Sequence, residues 1–174
     1  MQATCLQGAH LEETHFEKAN LQGTHFEKAN LQGTHFENAN LQEAHLERTD
    51  FHGAWLIRAD LQRADLKGAN LTDAHLEGAS LPYANFITAG LSNADFHGAW
   101  LDWTDLKWAH FNNADLRRAN LNDADLEGAN LKGVKELTID QLSQVKTLYN
   151  TKLDDELLKP LKEKYPALFE EPKK

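Results

Sequence analysis

With 174 residues, the chain is long enough for one ordinary domain with a sizeable core. Its 18 basic and 27 acidic residues leave a net charge of −9 with histidine neutral, which argues against a general nucleic-acid or anionic-membrane binder. A single cysteine excludes an intrachain disulfide framework, and without an apolar span or a leader pattern we expect a cytoplasmic protein, if this chain is the whole gene product.

A five-residue repeat runs from Leu6 to Leu131. Every fifth residue, here called the centre, is Leu or Phe at all 26 positions, and the residue two before it is always Ala or Thr. The residue just before the centre is the ladder slot, mostly Asn, Asp or His; the second residue after the centre is the corner slot, which holds nine of the ten Gly. A period of five suits neither a helix nor a straight strand, so the chain must turn once per repeat. The pattern predicts a solenoid with the centres inside and positive φ at the corner glycines.

The units ANLQG, ADLKG, ADLEG and ANLKG resemble the pentapeptide-repeat family, whose motif is A-(D/N)-L-x-x, and the helical tail is similar to that of cyanobacterial members. The resemblance covers about residues 3–134. It implies an all-β solenoid, a right-handed quadrilateral β-helix with 20 residues per coil, hence about 6.5 coils and a rod of roughly 31 Å. We therefore assign residues 1–134 to the β-helix and residues 135–174 to a C-terminal helical cap and tail.

The first coil has no predicted cap. Its centres are Leu6, Leu11, Phe16 and Leu21, and they would be half covered beside an unpaired strand edge. Three explanations remain open: pairing of two copies, a separate capping partner, or a chain shortened at its N-terminus. These four residues are the candidate N-terminal association surface, and a homodimer through it is the first of the three explanations.

Histidine replaces Asn or Asp in many of the early ladder slots. With 20 residues per coil, His15 stacks near His35, and Cys5, His25 and His45 form a second column. Such columns suggest zinc, but parallel side chains ~4.8 Å apart do not converge as tetrahedral coordination requires. No metal or other cofactor is therefore expected. The alternative is pH-dependent solubility, because protonation of the nine histidines would cancel the net charge of −9.

Four aromatic residues point outward in the second half of the repeats. Tyr83 is predicted to lie under Trp103, Trp100 to flank it across Leu101, and Trp108 to sit one corner onward. A cluster of this kind on a polar rod indicates a surface for a protein partner. The alternatives are that the rings shield the sheet or dock the C-terminal tail.

Two pairs of aspartates stack in the last coils, Asp95 with Asp115 and Asp105 with Asp125. Paired carboxylates serve acid–base chemistry or bind cations. The repeat itself, however, demands Asp or Asn in these slots, and no nucleophile–base arrangement or phosphate loop accompanies them. We predict no catalytic residue and no enzymatic activity.

A helical segment is predicted after the repeats. The capping box from Thr138 to Gln141 marks its start. A second helix is predicted near Asp154, interrupted or restarted at Pro160 and ended by Pro166. The apolar residues of the first helix fall at helical spacing: Ile139, Leu142, Val145 and Leu148.

Three functional hypotheses follow, in decreasing order of support. The first is a non-enzymatic, rod-like scaffold that binds a protein partner, with no direct binding of nucleic acid or membrane. The resemblance implies the second, a DNA mimic that binds DNA gyrase, as quinolone-resistance members of the family do. Duplex DNA of that length carries roughly 18 charges, at one per ~1.7 Å, whereas residues 1–134 carry a net −9. The third is a metal-binding protein.

Overall fold

The computed structural model describes residues 4–172, and its main feature is four ladders of parallel β-bridges. Ladder-slot residues twenty apart pair along the chain, from Cys5–His25 to Asp115–Lys135. His25 N–H donates to the carbonyl of Thr4 at 2.9 Å, and Leu6 N–H donates to the carbonyl of His25 at 2.7 Å, a pattern that recurs from coil to coil. Each contact is a single bridge between short extended segments rather than a longer strand. Four ladder slots in every twenty residues give each coil four sides.

The corners of the coil are tight turns. After each corner, an N–H donates back to the preceding centre, as from Ala9 to the carbonyl of Leu6 at 3.0 Å. The nine corner glycines have φ between 61° and 71°, which confirms the predicted positive φ. At all the remaining corners from Glu13 to Asp123, residues with side chains take the same conformation, with φ between 54° and 61°. The corner therefore demands a left-handed φ, and glycine is its least strained occupant rather than a requirement.

Centres and small residues fill the interior of the coils. The centres from Phe26 to Leu131 are buried, together with the Ala residues between them. Four of the threonines that replace Ala are also buried, namely Thr24, Thr34, Thr49 and Thr104. Three of these hydroxyls donate to a backbone carbonyl, as Thr49 does to that of Phe26 at 2.8 Å, which makes them tolerable inside the coil. Six phenylalanines are fully buried: Phe26, Phe36, Phe51, Phe86, Phe96 and Phe111.

Helix α1 (Ile139–Ser143) interrupts the ladder that ends at Asn120. It starts with the predicted capping box between Thr138 and Gln141. The side chain of Gln141 also reaches back, and its Nε2 donates to the carbonyls of Leu116 at 2.8 Å and Ala119 at 3.0 Å. A side-chain amide thus satisfies backbone carbonyls of the preceding coil where α1 has displaced the ladder.

The predicted continuation of this helix through Val145 and Leu148 is wrong. α1 ends at Ser143, and the chain rejoins two of the ladders, with Thr147 pairing to Asp125 and Lys152 to Asn130. These pairs are twenty-two residues apart instead of twenty, because α1 replaces one side of the coil with a slightly longer path.

The rejoining segment is a further, degenerate repeat. Leu148 and Leu153 are buried and five residues apart, and Asn150 between them has a corner-like φ of 57°. The preceding coil offers free backbone acceptors at this point, so Lys146 N–H donates to the carbonyl of Ala124 at 3.0 Å. Those bonds favour an extended chain over the helix that the apolar spacing predicted.

Two further helical elements cover the last coil. The predicted interruption or restart at Pro160 is wrong: helix α2 (Asp155–Lys164) contains Pro160 without a break, and a 3₁₀ helix (Pro166–Phe169) follows it. Leu161 of α2 is fully buried, and Leu148 N–H donates to the carbonyl of Leu168 at 2.7 Å. The start of α2 after Asp154 and its end before Pro166 agree with the sequence analysis.

Candidate functional site

Two of the predicted surface aromatics form a stack. The rings of Tyr83 and Trp103 lie 5.4 Å apart and within 5° of parallel, on successive coils at one corner. The Arg63 guanidinium lies 5.9 Å from the centroid of the Tyr83 ring, one coil earlier at the same corner. The corner therefore carries a column of one cation and two rings, in which the arginine was not anticipated.

The other two aromatics lie on either side of this stack. Trp100 occupies the ladder slot between Ser80 and Asn120. Trp108 occupies the next corner, where its ring lies flat over Gly128. We call these four residues the aromatic surface: Tyr83, Trp100, Trp103 and Trp108. Only Tyr83 and Trp103 are in ring contact, so the structure brings one pair together and sets the other two apart along the same region of the rod.

The aromatic surface is open to solvent. Its four side chains are between 47% and 57% exposed, so the C-terminal segment does not cover them within residues 4–172. Three of them occupy corner slots with left-handed backbone: φ is 61° at Tyr83, 54° at Trp103 and 58° at Trp108. A bulky residue at positive φ is uncommon and strained. Every other residue type at the corners takes the same φ, so the exposure of these rings, and not their backbone conformation, distinguishes them.

The centres of the first coil are only partly covered. Leu6, Leu11, Phe16 and Leu21 are half-buried, whereas the centres of the second coil are fully buried. In the part of the chain that the structure describes, the backbone N–H groups of the first coil's ladder slots find no carbonyl partner. An apolar end with an open hydrogen-bonding edge is a surface that could accept another chain.

Histidine–glutamate pairs, which were not predicted from the sequence, flank several centres of the early coils. The tripeptide H-(F/L)-E occurs six times, starting at residues 10, 15, 25, 35, 45 and 75. Histidine Nδ1 lies 2.8 Å from Glu17 Oε1 in the second pair and 2.9 Å from Glu27 Oε1 in the third. The hydrogen bond from His15 lowers the pKa of the Glu17 carboxyl below its usual value. The sequence signal was the H-x-E spacing, which brings the two side chains together on either side of a centre, just before a corner.

The histidine rings stack in two columns, as the period of twenty predicts. His15 and His35 lie 4.7 Å apart at 7°, and the column continues through Trp55 to His75. On the opposite face, His25 and His45 lie 4.2 Å apart at 1°. The rings are parallel, as expected, but glutamates lie beside them. His15, Glu17 and His35 each offer one metal-ligand atom, all within 4.8 Å of one another, and His25, Glu27 and His45 do the same.

Three of the four stacked aspartates of the last coils, Asp105, Asp115 and Asp125, pair with cations. Arg117 lies 2.6 Å from Asp115, and this contact lowers the pKa of the Asp115 carboxyl. Asp125 is buried, which opposes its ionisation, but hydrogen bonds from Lys146, the Glu127 backbone and Lys107 outweigh burial and lower its pKa. Carboxylates held ionised by fixed cations are suited to stabilising the rod rather than to proton transfer.

Among the helices of residues 4–172, none has both the length and the apolar character that crossing a bilayer requires.

The sequence model of the pentapeptide repeats matches residues 2–33, 34–73, 69–107 and 101–135. Comparison with the curated proteins finds no match. Among solved structures, the chain is similar to HetL, a pentapeptide repeat protein involved in heterocyst differentiation regulation from the cyanobacterium Nostoc sp. strain PCC 7120. They share 25% identity and a TM-score of 0.52, over 86% of this chain and 74% of HetL.

It is also similar to trypsin-treated QnrB1, a plasmid-mediated fluoroquinolone resistance protein, at 18% identity and a TM-score of 0.52, over 92% of this chain and 97% of QnrB1. Rfr23 from the cyanobacterium Cyanothece 51142 is 35% identical over 55% of this chain and 60% of its own, with a TM-score of 0.44. Pentapeptide-repeat proteins form right-handed quadrilateral β-helices, the architecture to which the four ladders correspond. From the repeat match and these folds, the chain belongs to the pentapeptide-repeat family.

Proposed function

We propose that the protein is a non-enzymatic, rod-like interaction module that binds a protein partner through the aromatic surface. The observation that carries the proposal is that all four rings of the aromatic surface are about half exposed on one region of the rod, two of them stacked. Large rings held on a rigid scaffold provide contact area at little entropic cost, which is why they dominate interface energetics. HetL is involved in heterocyst differentiation regulation, a role that suits a binding protein.

The proposal is tested by comparing the proteins captured by three immobilised chains. The first is the wild type, and the second is Trp100→Asn/Trp103→Gly, which places at each slot a residue that the repeat itself uses there. The third is the control Trp55→His, which changes an exposed Trp in another column, between His35 and His75. We expect a protein that the wild type and the control retain and the double variant loses. Identical captured sets for all three chains would contradict the proposal.

We further propose that the first coil pairs with the first coil of a second copy. The half-buried centres Leu6, Leu11, Phe16 and Leu21 would become covered, and the free N–H edge would gain acceptors. Sedimentation analysis tests this: we expect a concentration-dependent dimer that Leu11→Lys abolishes. A wild-type chain that stays strictly monomeric at high concentration would contradict pairing.

The DNA-mimic hypothesis ranks second. The likeness to QnrB1 at 18% identity supports the fold and not the activity. With about 6.5 coils, the rod would be roughly 31 Å long, and duplex DNA of that length carries roughly 18 charges. The net charge of −9 is about half of that, and Lys107, Arg117 and Lys146 pair with carboxylates of the last coils. We expect no inhibition of gyrase supercoiling at micromolar protein, and clear inhibition there would place this hypothesis first.

A further inference from the structure

We propose that the chain binds divalent transition-metal ions at two sites on opposite faces of its first coils. Each site joins two histidine–glutamate pairs that lie twenty residues apart. One consists of His15, Glu17, His35 and Glu37, and the other of His25, Glu27, His45 and Glu47. The two sites are ten residues apart, half of a coil, because residues 15–24 and 25–34 are identical in sequence.

The ligand atoms of each site already lie close together. In the first site, Nδ1 of His15 is 2.8 Å from Glu17 Oε1, and Nδ1 of His35 is 3.0 Å from Glu37 Oε1. Ligand atoms of His15, Glu17 and His35 lie within 4.8 Å of one another, and those of His25, Glu27 and His45 repeat this arrangement. Two imidazoles and a carboxylate from successive coils therefore converge on one small volume, with the second carboxylate beside them.

The glutamates hold acceptor oxygens that nothing in the described chain satisfies. Oε2 of Glu27, Glu37 and Glu47 is buried and has no hydrogen-bond partner within residues 4–172. A carboxylate oxygen without a donor is costly to bury. In the second site two such carboxylates, Glu27 and Glu47, lie on adjacent coils, so their negative charges repel. A bound cation would satisfy these oxygens and cancel the repulsion.

The ligand types select the metal. Imidazole nitrogen and carboxylate oxygen together suit Zn²⁺ and neighbouring first-row ions, whereas Mg²⁺ and Ca²⁺ prefer oxygen alone. Tetrahedral Zn²⁺ needs nitrogens about 3.4 Å apart, from bonds of about 2.1 Å. The stacked rings are 4.7 Å and 4.2 Å apart, so metal binding requires them to tilt toward each other. The His15 side chain is 67% exposed and has room to do so.

The repeat does not require histidine in these slots. Asn20 and Asp50 occupy equivalent ladder slots, where their side-chain oxygens accept hydrogen bonds from the backbone N–H two residues on. Asparagine is therefore a substitute that preserves the corner. His110 supplies the matched control, since it fills a ladder slot between Gly90 and Asn130 and has Asn112 in place of the glutamate.

The experiment is equilibrium dialysis of the purified chain against Zn²⁺ at pH 7.5, followed by measurement of bound metal. We expect two zinc ions per wild-type chain, one for His15→Asn, one for His45→Asn, none for the double variant and two for His110→Asn. Zinc should also raise the melting temperature of the wild type and leave that of the double variant unchanged, because only a site formed in the folded state stabilises the fold. Circular dichroism of each metal-free variant verifies folding.

A wild-type chain that leaves dialysis without zinc would overturn the proposal. Retention of wild-type zinc by the double variant, or equal loss in His110→Asn, would overturn it as well, because the metal would then be held by histidine in general and not by these two sites.

Discussion

Replacing Gly128 with Ala tests how closely the Trp108 ring seals the corner beneath it. A Cβ at Gly128 would clash with Cε3 of Trp108, so the indole must move away. Gly98 is the matched control because its φ of 68° equals the 67° of Gly128 within a degree and nothing lies within 4 Å of its added Cβ. The two substitutions share the backbone strain, and their difference isolates the loss of indole packing.

The size of that difference follows from the burial of Trp108. Ala at positive φ costs about 1–2 kcal/mol at either position. Trp108 is 47% exposed, so about half of its surface is packed. Of a Trp surface of about 250 Å², that half is worth about 3 kcal/mol at about 25 cal/mol per Å² if all packing is lost. We therefore expect Gly98→Ala to cost about 1–2 kcal/mol and Gly128→Ala about 2–5 kcal/mol.

Urea unfolding followed by circular dichroism measures both costs, with the slopes compared to verify that the transition is unchanged. Repeating the Gly128→Ala substitution in a Trp108→Gly background should remove the extra cost, because no ring remains to displace. Equal costs for the two single substitutions would refute the argument. So would an extra cost that survives in the Trp108→Gly background.

Three further substitutions test the core, the buried charge and the α1 junction. Leu61→Ala should cost about 3–5 kcal/mol of unfolding free energy in urea, because Leu61 is fully buried. Leu21→Ala in the same column should cost about half as much, since Leu21 is only partly covered. Equal costs would show that the first coil is covered. Asp125→Asn should cost about 1–2 kcal/mol at pH 7 through lost charged hydrogen bonds. Because the folded pKa of Asp125 is lowered, its contribution is fully present above about pH 4 and is lost as pH falls through the lowered pKa, so the variant's unfolding midpoint should fall less between pH 7 and pH 3. Gln141→Ala leaves the carbonyl of Ala119 without a donor and removes one of the two donors to that of Leu116, so it should cost about 1–3 kcal/mol in thermal melting. Gln144→Ala, whose side chain bonds to a nearby serine, should cost under about 0.5 kcal/mol, and a reversed order would contradict the role of Gln141.

The solenoid could be predicted from sequence because its core residues recur at a fixed spacing along the chain. Each centre from Leu6 to Leu131 recurs at multiples of five residues, and the twenty-residue coil that the family resemblance implies then gives the register of the ladders. The Tyr83–Trp103 stack followed from the same twenty-residue coil.

The C-terminal junction could not be predicted in the same way. Val145 and Leu148 are three residues apart, as in a helix, while Leu148 and Leu153 are five apart, as in the repeat. Local spacing cannot choose between the two, and the choice depends on backbone acceptors of the preceding coil, such as the carbonyl of Ala124. The histidine–glutamate pairs were missed for a different reason: His15 and Glu17 flank a single centre, two residues apart, and so lie outside the twenty-residue spacing that the ladders follow.

The twenty-residue spacing of the ladders also dictates how the protein tolerates insertions. Adding one complete coil between the N-terminal coil and the aromatic surface would move that surface along the axis by about 4.8 Å without rotating it. Adding five residues would instead turn everything downstream by a quarter of a revolution, and adding ten would turn it by half. The identical decapeptides at residues 15–24 and 25–34 are offset by ten residues, so the same side chains face opposite sides of the rod. The number of five-residue repeats that precede a surface therefore sets the direction in which that surface faces.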